Sequence, residues 1–207
     1  LVALKVMGAR DASLGEDEQA LDMLLDEAKI MAHIDHPNVL RVVDFGKTRG
    51  RYYLATEYLE GRSLVRVMIE AYAEADGLGY DVVAAIGAGA AHGLHAAHSS
   101  VSATGEDLRV VHRDVSPQNI FVTYGGVPKV IDFGVALKDD DDDGRHEIVG
   151  TLQYMSPEQA SGGDVGTGAD VYALGIILFE LITGKLPYEV RRSEEHTSEL
   201  QSHSDLV

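Results

Sequence analysis

His112-Arg113-Asp114-Val115-Ser116-Pro117-Gln118-Asn119 is followed, thirteen residues after Asn119, by Asp132-Phe133-Gly134. Between the two runs, Gly125-Gly126 predicts a hairpin turn, with Ile120 to Thr123 entering and Pro128 to Ile131 leaving. Asn119 lies six residues before Gly125 and Asp132 six after Gly126, so pairing the strands brings an amide oxygen and a carboxylate side by side. Two hard oxygen donors at one sheet end suit Mg2+, which takes few protein ligands and completes its shell with water and phosphate oxygens.

Upstream, Leu1 to Met7, Val39 to Phe45 and Tyr52 to Tyr58 are short β-prone runs separated by turn residues, which predicts a small sheet. Between the first two, Leu21, Leu24, Leu25, Ala28, Met31 and Ala32 recur at helical spacing within Asp17 to Ile34, so this helix should pack on that sheet. Glu27 falls on the apolar stripe, where a carboxylate is costly unless paired. Lys5, on the strand the helix should cover, is the obvious partner; the bland alternative leaves Glu27 in water at the stripe's edge.

Downstream, Leu64 to Ala75 and Asp81 to His98 read as helices, Ser99 to Asp107 as a polar loop, and a last helix starts near Asp170. Val171 to Thr183 is the most apolar stretch, but it is too short to span a bilayer and contains Glu180. With 207 residues, 45% of them hydrophobic, the chain can bury one sizeable core, and no signal peptide opens it. A net charge of −17 without clustered Lys or Arg argues against a nucleic-acid groove. The absence of cysteine excludes disulfides, thiolate metal sites and Cys nucleophiles, and it permits the cytoplasm.

In order along Leu1 to Tyr188 these residues resemble the protein kinase family. Val2-Ala3-Leu4-Lys5 resembles the strand whose Lys holds the ATP phosphates, and Glu27 falls where the family's ion-pair Glu lies. The His112-Arg113-Asp114 run is similar to the catalytic loop and Asp132-Phe133-Gly134 to the metal-binding motif. Gly150-Thr151 with Tyr154-Met155-Ser156-Pro157-Glu158 resembles the end of the activation segment, and Asp170 to Gly175 the start of the large lobe's central helix.

The resemblance implies an α+β, two-lobed fold, with residues 1–60 as a partial small lobe and 61–191 as a partial large lobe. It implies that Asp114 orients or accepts the proton of a substrate hydroxyl, that Asn119 and Asp132 hold Mg2+, and that Lys5 positions the α and β phosphates of ATP. Adenine would lie against a hinge in which Thr56 resembles the gatekeeper, Glu57 and Leu59 offer backbone hydrogen bonds, and Ala3 and Phe121 offer apolar faces. The implied activity is phosphorylation of Ser or Thr in a protein substrate, in the style of the eukaryote-like Ser/Thr kinases of bacteria. The competing class is a pseudokinase-like nucleotide-binding or scaffold module.

Several positions depart from the pattern. Ser116 stands where many Ser/Thr kinases have a Lys that neutralises the transferring phosphate, and Ser156 replaces the Ala of Ala-Pro-Glu. Between Gly134 and Gly150 there is no Ser or Thr but an acidic run, Asp139 to Asp143. That run is either a stand-in for a loop phosphate that pairs with Arg113, or a solvated acidic loop. His92, His95 and His98 are spaced for a metal site, yet steps of three drift around a helix, so packing or surface roles suffice. The chain begins too late for the family's Gly-rich loop, so its N-terminus is expected to be truncated. Arg192 to Ser202 resembles the in-frame translation of a sequencing adapter, which would place 192–207 outside the fold.

Overall fold

The computed structural model describes residues 1–7, 28, 31–48, 51–74, 77–102, 104–108, 110–133 and 152–188. The architecture is α+β, a β-rich part followed by a mainly helical one. β1 (Val2–Met7), β2 (Val42–Thr48) and β3 (Arg51–Glu57) form an antiparallel sheet in the order β1-β3-β2. In this register Ala3 faces Thr56 and Lys5 faces Leu54, so the strand alternation puts all four on one side. Ala28 and Met31 are helical and buried. Ala28 packs on that sheet with Leu54, Val42 and Tyr52, while Met31 joins the main core.

The predicted strand from Val39 starts later, at Val42, because Val39 and Leu40 are engaged elsewhere. Val39 makes a parallel bridge with Val130, and Leu40 N–H donates to Val130 O at 2.9 Å. A second sheet follows, β4 (Gly61–Ser63), β5 (Ile120–Thr123) and β6 (Pro128–Val130), antiparallel in that order.

α1 (Leu64–Glu74) leaves β4 directly, and one of its first-turn amides, Val65 N–H, donates to Pro117 O at 3.0 Å. α2 (Tyr80–His98) carries glycines that weaken a helix by roughly 0.5–1 kcal/mol each. Close neighbours explain two of them. A Cβ on Gly89 would lie 2.2 Å from Pro128 Cγ, and one on Gly93 2.5 Å from Asn38 O. α3 (Pro157–Ala160) is one turn, started by a capping box between Ser156 and Gln159.

α4 (Thr167–Thr183) begins at Thr167, ahead of the expected start near Asp170, which puts Asp170 in its first turn and buries it. Gly184, at φ 70°, ends that helix in the left-handed conformation that glycine takes without cost. No described helix is long and apolar enough to cross a membrane.

Candidate active site

The hairpin between β5 and β6 differs from the sequence expectation by one residue. Ile120 pairs with Val130, and Ile131 N–H donates to Asn119 O at 2.9 Å, so Asn119 lies opposite Ile131 and Asp132 follows one position on. The cause is the turn. Of the two, Gly126 alone takes a positive φ (79°), whereas a two-residue turn of either hairpin type would need one at Gly125. The loop therefore holds three residues, 124–126, closed by Thr123 N–H to Val127 O at 3.0 Å, and Thr123 Oγ1 accepts Val127 N–H at the same distance.

The loop before β5 is held from beneath. Asp170, 1% exposed, accepts His112 N–H on Oδ2 and Arg113 N–H on Oδ1, both at 2.9 Å. His98 Nε2 lies 2.7 Å from the same Oδ2. Arg113 sits at φ 65°, a strained conformation for a side chain with a Cβ, and Gln159 Nε2 fixes its carbonyl at 2.7 Å. His112 is fully buried. Its Nδ1 accepts Asp114 N–H at 3.3 Å and its Nε2 donates to Ile131 O at 3.1 Å, which defines a neutral imidazole. Burial pushes it below its ordinary range, although Asp170 nearby opposes the shift. Its ring packs on Phe133 at 4.6 Å, and with Phe133 buried the neighbouring Asp132 is left exposed at φ 50°.

Asn119 Nδ2 donates to Asp114 O and to Asp114 Oδ2, each at 2.8 Å. Both amide hydrogens are thus committed to Asp114, and the amide oxygen is the atom that remains for a hard cation. This amide oxygen and the exposed Asp132 carboxylate, one position beyond the residue opposite Asn119, are hard oxygen donors of the kind that Mg2+ takes.

A cavity of about 360 Å3 is lined by Ala3, Leu4, Lys5, Met31, Leu40, Leu54, Thr56 and Asp132, within the roughly 300–1,000 Å3 typical of ligand pockets. It joins four of the predicted residues, Ala3, Lys5, Thr56 and Asp132, and reaches past the small Thr56 to Met31 and Leu40. Glu57, Leu59, Asp114, Asn119 and Phe121 lie outside this lining. Leu59 packs on the main core, and Phe121 lies in β5 beside Gly61. The Glu57 carboxylate turns to Lys129 and to Arg41 N–H. A larger cavity, about 580 Å3, opens between Leu4, Val6, Thr48, Arg51 and Tyr53 and includes none of the predicted site residues.

Glu27, the Lys5–Glu27 pairing, Gly134, Asp139 to Asp143, Thr151 and 192–207 fall outside the described residues. The sequence reading missed the roles of Asp170, Gln159 and His98. Asp170 was visible as a motif position, but nothing in its spacing pointed to two backbone amides more than fifty residues away.

A profile of the protein kinase domain matches residues 1–206. The chain belongs to the protein kinase family. It is 37% identical over 170 residues to the tyrosine-protein kinase MasK of Myxococcus xanthus, covering 81% of this chain and 26% of that protein. To the serine/threonine-protein kinase PrkC of Bacillus subtilis it is 33% identical over 195 residues, covering 91% and 27%. With the serine/threonine-protein kinase pkn3 of Myxococcus xanthus the identity is 34% over 200 residues, covering 91% and 34%. The chain thus spans about a quarter to a third of the length of these curated relatives. As a protein kinase domain it belongs to a family that uses ATP, typically with Mg2+.

Proposed function

We propose that this chain carries the catalytic apparatus of a cytoplasmic kinase that transfers the γ-phosphoryl group of ATP to Ser or Thr hydroxyls of a protein substrate. Residues 1–60 and 61–191 belong to its two lobes, and 192–207, by their resemblance to translated adapter sequence, are not part of the kinase. The observation that carries the reading is the Asn119 amide bonded to the Asp114 carboxylate, on a loop whose following strands deliver Asp132 to the cavity that Lys5 also lines.

In this reading the Lys5 ammonium draws the α and β phosphates into the cavity, with Ala3 and Thr56 along the adenine side. The backbone of Glu57 and Leu59 offers the hinge hydrogen bonds, and Phe121 a further apolar face. Glu27 pairs with Lys5. Asn119 Oδ1 and the Asp132 carboxylate hold Mg2+, which supplies neutralisation of phosphate charge when bound. Asp114 aligns the acceptor hydroxyl and receives its proton, while the Asn119 amide keeps the carboxylate aimed. Placement of charge is most of the work, because phosphoryl transfer asks for little covalent chemistry from the protein.

The Ser/Thr acceptor is supported by the names of PrkC and pkn3, while MasK is named a tyrosine kinase. The test is transfer of label from γ-labelled ATP to a generic basic protein, followed by acid hydrolysis. Label on phosphoserine or phosphothreonine is expected. Label on phosphotyrosine would reassign the acceptor. Nucleotide binding without any transfer would favour the non-catalytic module, for which Ser116 at the expected Lys position is the one residue that speaks.

A further inference from the structure

Glu57 is the last residue of β3 and Lys129 the middle residue of β6, so they belong to different sheets. Lys129 Nζ donates to Glu57 Oε1 at 2.7 Å and to Val39 O at 3.3 Å, and Arg41 N–H donates to the same Oε1 at 2.9 Å. The segment 38–41 threads the seam between the sheets. Val130 N–H donates to Asn38 O, Leu40 N–H to Val130 O and Glu57 N–H to Arg41 O, at 2.8 to 3.0 Å. The charged groups sit where solvent is partly excluded, with side chains 12% and 30% exposed for Lys129 and Glu57. Glu57 follows Thr56, and Lys129 precedes Asp132 by three residues, so the contact ties together two walls of the 360 Å3 cavity.

We propose that the Lys129–Glu57 pair is a strap across this seam, and that it makes Lys129 a positioning residue for the nucleotide. The role rests on the kinase reading above, in which the end of β3 meets adenine and the strand after β6 meets the phosphates. Removing the ammonium leaves the Glu57 carboxylate partly buried and unpaired. The carboxylate then swings to water, Arg41 N–H loses its acceptor, and the 38–41 segment loosens between the sheets. Asp170 pins the loop before β5 through the His112 and Arg113 amides, and Asn119 Nδ2 holds the Asp114 carboxylate, so the loss falls on nucleotide affinity and not on the transfer step.

The experiment compares the full chain with Lys129→Met and Lys129→Arg in two measurements. Amide hydrogen exchange is expected to speed at least about tenfold at Leu40, Arg41 and Val130 in Lys129→Met, with α2 and α4 unchanged and with wild-type exchange restored in Lys129→Arg. The nucleotide dissociation constant is expected to rise about five- to tenfold in Lys129→Met, while transfer at saturating ATP changes less than about twofold. Unchanged exchange at those three amides overturns the strap, and so does acceleration spread equally through α2 and α4, which would mean a general loss of stability. Exchange needs neither nucleotide nor turnover. A wild-type chain that fails to bind ATP therefore counts against the kinase reading, while the exchange result still decides the strap.

Discussion

His112 shows how one residue can serve both stability and chemistry. Folding buries it neutral, with Nδ1 accepting the Asp114 amide, and burial pushes its imidazole below the ordinary value of 6.5. The unfolded chain therefore binds the proton more readily. The stabilisation is fully present above about pH 6.5 and is lost as pH falls from there toward the lowered folded value, at up to about 1.4 kcal/mol per pH unit. His36 is shifted the same way, by burial first and then by His92, Lys129 and His95. A melting series is expected to hold Tm steady above about pH 6.5 and to drop it below, less steeply in His36→Asn. A Tm flat down to about pH 5 would contradict the assignment. The sequence named His112 within its motif, and its neutral state could not be read there because the partners Ile131 O and Asp170 come from other elements.

Elements were legible where a period or a pairing chemistry was local. The Leu64 and Asp81 helices and both arms of the hairpin stand within a residue or so of expectation. The hairpin register was not legible, because Gly125-Gly126 permits a two- or a three-residue loop and the Thr123 hydroxyl, bonded to Val127 N–H, favours the longer. Nor were the glycines of α2, which look like helix weaknesses until Asn38 and Pro128 are seen against them. Gly93→Ala should cost about 1–3 kcal/mol, since the new methyl meets the backbone oxygen of Asn38 at 2.5 Å. Gly175→Ala, in the middle of α4 with nothing within 4 Å of the new Cβ, should stabilise by roughly 0.5–1 kcal/mol. Denaturant midpoints of the two variants check this, and a Gly93→Ala protein as stable as wild type would refute the close packing of the 36–39 turn on α2.

At the scale of the whole molecule, the α+β plan was readable from the order of β-prone and helical runs, while the way its parts share one core was not. The main cluster runs from Met31 and Val39 through Ile86 and Leu94 to Ile177, so the β-rich and helical parts are welded through the 38–41 segment. α4 buries Ile177 and Leu181 yet exposes Val171, Phe179 and Ile182, an apolar stripe with water on it. Of the candidate site, the motif residues were visible in sequence, but the buried Asp170 beneath them and the Lys129–Glu57 strap beside them were not, since each joins positions more than fifty residues apart. The central claim is a division of labour, with Asp114 for transfer and Asp132 for metal-dependent nucleotide binding. It is tested most directly by measuring Mg2+-dependent ATP affinity and single-turnover label transfer side by side in Asp114→Asn and Asp132→Asn. The account predicts that Asp114→Asn keeps affinity within about threefold while transfer falls by about a hundredfold or more, and that Asp132→Asn loses Mg2+-dependent affinity together with transfer. Undiminished transfer in Asp114→Asn would contradict it.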